Sequence, residues 1–382
     1  MNVSPTILLA LGWYDHRLVQ GIAKYAAAHD WHISAASIVH EFVIPRGWQG
    51  DGVLAWLAGE DDLAEFVLSL KKPTVDFSLR RPGLPFGHVI MDHGAASKLA
   101  ADHFVERGFQ HFIYYSDSEN WTFEERGRGF VKALLEQGRN CKWIKPHESS
   151  KKAKDRTWLQ QRAWLAMQLR NSPKPLAIFT ANGTLAVEVQ EACKASGLNV
   201  PEDVAIIGIE DDLLLPQSAQ QAITAVDPNL AEIGYRGAAL LDQLMKGGPI
   251  PKEPIRIPPA RLITRRSTDF TAVQHPGLLK ALEFITQNCG ADIDVDAIAR
   301  AAGMSRRGLH QAFVDHLKRT PGEHLREVRL GIVTQMLSET DEKIETIARV
   351  SGYSSMNTFF VAFKQHRGIS PAEYRKEAQR GK

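Results

Sequence analysis

The chain has 382 residues, of which 24% are charged and 44% hydrophobic, with a formal net charge of +2. That length exceeds one ordinary core and fits two or three domains of soluble globular character. No run reaches the ~18 apolar residues a bilayer span needs, and no basic, apolar and small-residue leader precedes the first strand pattern near Thr6, so a cytoplasmic protein without membrane attachment is expected. Cys141, Cys193 and Cys289 lie far apart, none with a Cys or His at metal-ligand spacing, which argues for ordinary thiols rather than a metal site or a disulfide framework.

From the start to about residue 265, short β-rich runs alternate with helical stretches. Thr6–Leu11 is a continuous apolar run, as expected of a strand buried on both faces. Helical periodicity follows over Arg17–Ala28. Further strands are predicted at Trp31–Ile38, Gly52–Trp56, Pro73–Phe77, His88–Met91, Phe112–Tyr115, Ala177–Thr180 and Val204–Gly208, with helices between them such as Ala95–Arg107 and Ala186–Ser196. This alternation implies parallel sheets with right-handed crossovers, and the strand count suits two α/β lobes.

Catalytic signatures are missing from this region. There is no phosphate loop, no G-x-S-x-G elbow, no G-x-G-x-x-G fingerprint and no acidic pair after the first strand. No enzyme and no cofactor are therefore expected. The polar residues instead gather just after strands, where open α/β sheets bind ligands. They are Tyr14 and Asp15, Asp92 with His93, Trp121 with Arg126, Asn182, and Glu210-Asp211-Asp212. Vicinal hydroxyls of a sugar need this mixture of carboxylates, amides, a guanidinium fork and an aromatic face. Asp15 and Asp92 could equally serve as helix caps. Trp13 and Trp56 read as core or rim.

After Thr268 strand patterns give way to amphipathic helices separated by Gly and Pro, with the linker placed within Arg265–Pro276. Residues 271–382 hold 16 Lys/Arg against 13 Asp/Glu, so the slight basic excess lies at this end. The segment Val295–Ser305 recurs as Ile344–Ser354. Ile298, Ala299, Arg300, Gly303 and Ser305 match Ile347, Ala348, Arg349, Gly352 and Ser354. Past a one-residue insertion Phe313, His316, Pro321 and Glu323 match Phe363, His366, Pro371 and Glu373. Each copy reads as a helix, a turn with glycine where a left-handed backbone is needed, a serine N-cap (Ser305, Ser354), and a second helix with a buried i, i+4 stripe, Leu309 with Phe313 and Phe359 with Phe363. Two such units predict binding of double-stranded operator DNA, each second helix entering a major groove. A long helix from Pro321 through Leu337 is expected between them.

Residues 275–378 resemble the AraC-type DNA-binding domain, most specifically over Gly352-Tyr-Ser-Ser, Phe359, Phe363-Lys and Gly368-Ile-Ser-Pro-Ala-Glu-Tyr-Arg375. The resemblance implies that Arg306, Arg307, His310 and Gln311 form one reading head, and Ser355, Met356 and Asn357, with Phe360, a second. Val361 stands where family members often carry Arg. Lys318, Arg319, Lys364 and Arg367 are the phosphate candidates.

Residues 5–266 resemble the LacI-type periplasmic-binding-protein fold, through Val89-Ile-Met-Asp92-His, Gly108-Phe-Gln-His-Phe-Ile, Val200-Pro-Glu-Asp-Val-Ala-Ile-Ile-Gly-Ile-Glu210-Asp and the segment from Asp227-Pro to Ile233-Gly-Tyr-Arg-Gly-Ala-Ala-Leu-Leu. The fold implied is a two-lobed α/β periplasmic-binding-protein-like domain followed by an all-α domain with two helix-turn-helix units. That order is the arrangement of the xylose-operon-regulator family, whose junction Pro258–Asp269 resembles. It implies a monosaccharide effector, a pentose first, a homodimer, and activation of sugar-catabolic genes. Gly183 and Glu210 depart from the family's Asp at both positions, which bears on the hydroxyls accepted. A ligand-free sensor that only dimerises, and a sugar-modifying enzyme with a DNA-binding tail, are the competing readings.

Overall fold

Six strands and their crossover helices build a first lobe. They are β1 (Thr6–Leu11), β2 (His32–Ser34), β3 (Gly52–Trp56), β4 (Thr74–Asp76) and β5 (Gly87–Met91), joined much later by β11 (Ile255–Ile257), in the order β11-β5-β4-β3-β1-β2 with every pair parallel. Ile7, Leu8, Leu9 and Ala10 are essentially inaccessible to solvent, which is why this strand reads as an unbroken apolar run rather than an alternation. Helices α1 (His16–Ala28), α2 (Asp61–Ser69) and α3 (His93–Glu106) follow β1, β3 and β5. The computed structural model describes residues 4–34, 45–58, 61–117, 120–146, 157–209, 223–270, 275–317 and 319–379. Part of the predicted strand Trp31–Ile38, together with Glu210, Asp211, Asp212 and Lys318, lies outside them.

The second lobe holds β6 (His111–Tyr115), α4 (Trp121–Leu135), β7 (Cys141–Ile144), α5 (Trp158–Arg170), β8 (Leu176–Thr180), α6 (Gly183–Ser196), β9 (Val204–Ile209), β10 (Thr224–Asp227) and β12 (Arg261–Ile263), its sheet ordered β12-β10-β9-β8-β6-β7. Only β12 runs antiparallel. Helix α7 (Leu230–Met245) returns to the first lobe and lies against α1. Among the described residues the chain crosses between lobes three times, after β5, after β10 and between β11 and β12. The start of the expected linker is folded rather than free. Ser267 and Thr268 are fully buried, and Ser267 donates to the Ile206 carbonyl at 2.6 Å while accepting from the Thr224 amide at 2.8 Å.

The structure divides into two units, Met1–His103 with Gln110–Phe270, and Phe104–Phe109 with Thr271–Lys382. The helical part of the second unit comprises α8 (Pro276–Asn288), α9 (Val295–Ala302), α10 (Arg306–Leu317), α11 (Pro321–Glu339), α12 (Ile344–Val350), α13 (Met356–Arg367) and α14 (Pro371–Gln379). Two separate cores form. Leu278, Ile285, Ile298, Leu309, Phe313 and Leu325 make one, and Leu330, Val333, Leu337, Ile347, Phe359 and Phe363 the other. Helix α11 therefore serves both cores, Leu325 in its N-terminal half and Leu330 onward in the rest. The tail of the repeat has a local cause. Thr320 with Glu323, and Ser370 with Glu373, each form a capping box ahead of a helix whose first residue is proline.

His324, in α11, is 9% exposed, sits 5.6 Å ring to ring from Phe313, and has no partner for Nδ1 among the described residues. Burial, followed by the positive charge of Arg319, pushes its pKa down to about 3. The folded state thus excludes a proton that the unfolded chain takes up near the ordinary value of about 6.5. The associated stability is complete above that pH and declines as pH falls from there toward 3, by at most about 1.4 kcal/mol per pH unit. Denaturation midpoints of the full chain measured from pH 7.5 to 5 should fall more steeply for the wild type than for His324→Phe. Equal slopes would contradict this assignment.

Candidate ligand cleft and nucleic-acid interface

Among the described residues, Tyr14, Asp15, Asp92, His93 and Asn182 stand just past the carboxyl ends of strands, but in different roles. Asp15 caps α1. Its Oδ1 accepts from the Arg17 amide at 2.8 Å and from Arg17 Nε at 3.0 Å, and its Oδ2 from Arg17 Nη2 at 2.7 Å. Burial acts to raise the Asp15 pKa, yet the hydrogen bonds and charge of Arg17 outweigh it and hold the carboxylate below its usual range. Tyr14 is 55% exposed. Asp92 caps α3, accepting from the Ala95 amide at 2.9 Å, and Asn182 caps α6 through Leu185 at 2.8 Å. The capping role considered for Asp15 and Asp92 is thus real, and it engages one oxygen of Asp92 and of Asn182.

Arg126 is the organising residue. It is 4% exposed, donates from Nε to His93 Nδ1 at 3.3 Å and from Nη1 to the Ala181 carbonyl, and so ties α4 to the start of α3 and the end of β8. Burial, then the charges of Arg126 and Arg256, hold the His93 pKa well below its ordinary value. The imidazole is neutral, and with Nδ1 accepting from Arg126 its proton belongs on Nε2. Trp121 meets the His93 ring edge to face at 5.7 Å, and the Arg256 guanidinium lies 6.0 Å from the Trp121 ring.

Sequence reasoning missed two residues of this group, Arg256 and Glu125, and also the buried Asp117. Arg256, from β11 of the first lobe, pairs with Glu125 of α4 at 2.8 Å. Burial raises the Glu125 pKa against the pull of Arg256. Glu125 Oε2, and Asp117 Oδ1 just past β6, are buried with no hydrogen-bond partner among the described residues. The available signal for Arg256 was a single charge inside the three-residue run Ile-Arg-Ile, too short to show periodicity. Trp13 and Trp56, read as core or rim, meet at a tilt of 47° with ring centroids 4.6 Å apart at the carboxyl ends of β1 and β3, each half-buried.

In the helical domain Gly303 is left-handed at φ 66° and closes α9. Ser305 accepts from the Gly308 amide at 3.1 Å, as its cap role requires. In the second copy the cap moves by one residue. Ser355, not Ser354, is the N-cap of α13, accepting from Thr358. The one-residue insertion accounts for the shift, and it occupies the Ser355 hydroxyl that the family resemblance had placed among base readers. Met356 is half-buried against the second core. Arg306, Arg307, His310 and Gln311 are exposed on α10, with Arg306 paired to Asp296 at 3.2 Å and Gln311 donating to Asp315 at 2.8 Å. On α13 the exposed stripe is Asn357, Phe360, Val361 and Lys364. Arg367 stacks over Tyr374 at 5.6 Å, and Arg319 pairs with Glu327.

Residues 101–268 match the periplasmic binding protein-like domain family, and residues 298–377 a helix-turn-helix domain family. The chain is 26% identical to the xylose operon regulatory protein of Haemophilus influenzae over 374 residues, 95% of each chain. It is likewise 26% identical to that of Escherichia coli K12 over 372 residues, 95% of this chain and 94% of that one. The solved structure of the xylose-binding transcription activator XylR is similar at TM-score 0.61 and 25% identity, covering 98% of both chains. A LacI family regulator from Arthrobacter, solved with lactose, shares the sensor fold over 70% of this chain at TM-score 0.53 and 24% identity. A two-lobed α/β sensor with polar residues gathered past its strand ends, joined to paired helix-turn-helix units, defines a ligand-responsive transcription regulator. The likeness runs through both domains in the same order, and the chain is a XylR-like regulator: a periplasmic-binding-protein-like sensor with a C-terminal AraC-type DNA-binding domain. Among the described residues no helix is long and apolar enough to cross a membrane.

Proposed function

We propose that the chain is a cytoplasmic, homodimeric activator of sugar-catabolic genes, with residues 5–266 binding a pentose and residues 275–378 binding operator DNA. The observation that carries the sugar assignment is the pair of buried acceptor oxygens, Glu125 Oε2 and Asp117 Oδ1, lacking partners among the described residues. A buried carboxylate oxygen left unpaired costs on the order of 1–3 kcal/mol. Sugar hydroxyls are neutral donors that would remove this cost, and the Trp121 ring, 6.0 Å from the Arg256 guanidinium that pairs with Glu125, suits the C–H side of a sugar ring. Tyr14, Asp15, Asp92, Trp121, Arg126, Asn182 and Glu210, with His93 beside Asp92, remain the sequence-derived contacts, to which Glu125, Asp117 and Arg256 are added. A sugar touching α4 of one lobe and Arg256 of the other favours one lobe arrangement by its differential affinity and so alters how the DNA-binding domains of the dimer are presented.

The experiment is a thermal-shift series of the full chain with aldopentoses, aldohexoses and their alditols. At about 100-fold the dissociation constant, a bound effector adds roughly 2.7 kcal/mol of stability. A rise of several degrees with one pentose is expected, and no response across the panel would favour a sensor that only dimerises. On the DNA side, Arg307, His310, Gln311, Asn357 and Lys364 are assigned to the interface. Arg306 belongs there too, since its pair with Asp296, like that of Gln311 with Asp315, is exposed and weak, whereas Ser355 is engaged by the helix cap and Met356 packs inward.

A further inference from the structure

Asn357, Phe360, Val361 and Lys364 follow an i, i+3, i+4, i+7 spacing, so they form one stripe along α13. Their neighbours Phe359, Ala362 and Phe363 face the core at 0, 9 and 0% exposure, while Phe360 and Val361 stand 42 and 50% exposed. Phe360 is backed by Phe359, ring centroids 5.4 Å apart, which fixes where its ring points. By the alignment of the two copies, the same stripe on α10 is Arg307, His310, Gln311 and Val314. One helix thus offers hydrogen-bonding groups at the middle two positions and the other offers hydrocarbon.

A single exposed apolar residue needs no explanation, but two adjacent ones centred on a stripe that begins with an amide and ends with a cation do. The major groove displays one apolar group, the C5-methyl of thymine, whereas guanine, cytosine and adenine show only donors and acceptors there. Asn pairs bidentately with adenine, and Lys364 at the far end suits a phosphate. We propose that the two units read chemically different half-sites. Helix α10 selects purine edges through Arg307 and Gln311, and α13 selects thymine methyls through Phe360 and Val361, with Asn357 on a neighbouring adenine. This rests on the DNA-binding reading above and adds to it the base class of the second half-site.

The test uses the full chain and an operator selected from random duplex DNA. Each thymine is replaced in turn by deoxyuridine, which removes the methyl and leaves base pairing intact. For the wild type, substitution at two or more thymines within one half-site should weaken binding about five- to tenfold, the lower range of discrimination per base contact. The Phe360→Ala/Val361→Ala variant should bind the thymine operator more weakly and lose the sensitivity at those same positions, while keeping its selectivity in the other half-site. The wild-type series needs no variant to fold. Specific binding that ignores uracil, or a variant with unchanged affinity and unchanged uracil response, overturns the proposal. The second outcome would return the Phe360 face to a protein partner. Failure to select any sequence overturns the DNA-binding reading itself, and this inference with it.

Discussion

Alanine at Gly21 should destabilise the first lobe by about 3 kcal/mol. Helices α1 and α7 cross with Gly21 and Gly234 at their closest approach. A Cβ on Gly21 would lie 1.9 Å from the Ala231 carbonyl oxygen, and one on Gly234 would lie 2.2 Å from that of Leu18. Both obstacles are backbone, so no side chain can swing aside and the helices must part. Parting them opens the contact made by Leu18, Ile22, Ile233 and Leu241, each 2% exposed or less. Overpacking costs typically 1–3 kcal/mol and more where backbone must move, against at most about 1 kcal/mol of helix propensity gained by replacing glycine. Steric cost wins. A loss near 3 kcal/mol lowers the melting temperature of a unit this size by roughly 6–12 °C. Gly331, mid-helix in α11 with open space where a Cβ would stand, supplies the control. Gly331→Ala should melt at or slightly above the wild-type temperature. A Gly21→Ala protein melting with the wild type in calorimetry would refute the close crossing.

Arg126→Ala should abolish the effector response. The guanidinium is buried and hydrogen-bonded to His93 and to the Ala181 carbonyl, and hydrogen bonds to charged groups are worth about 1.5–3 kcal/mol each. Its loss strands both acceptors and lets His93, Trp121 and the end of β8 drift from their shared positions. Because those bonds position His93 and the end of β8, a loss on the order of 100-fold in effector affinity is expected, equivalent to about 2.7 kcal/mol. Lysine keeps the charge but not the fork, so Arg126→Lys should recover folding more fully than binding. The check is calorimetric titration with the effector found by thermal shift, beside the melting temperature of each ligand-free variant. Undiminished binding by a folded Arg126→Ala protein would remove Arg126 from the site.

What was legible in the sequence follows the range of the interactions concerned. Strands buried on both faces, such as Thr6–Leu11 and Val204–Ile209, carry their own signature because every side chain there must be apolar. Strand β7, with the pattern Cys-Lys-Trp-Ile, and the three-residue β11 and β12 escaped notice, since edge and very short strands impose no periodicity. The helix-turn-helix repeat was readable because its turn glycine, capping serine and core aromatics are local demands met twice. Even there the register slipped by one residue at the second cap, where the insertion puts Ser355 rather than Ser354 at the start of α13.

The order of sensor and reader, the paired recognition helices and the carboxyl-end polar residues were therefore determined by the sequence alone. Tertiary structure decided which of those residues meet: Arg126, His93 and Trp121 come together, while Asp15 is held by Arg17. Arg256 reaches Glu125 because β11 adds itself to the sheet edge beside β5, in a register that pairs Ile255 with Val89 and Arg256 with Ile90. Chain folding also decided that Phe360 and Val361 face outward while Phe359 and Phe363 close the core. Local pattern can assign a residue to a helix or a strand, but only the packing of distant segments sets which polar groups are paired and which are left for a ligand.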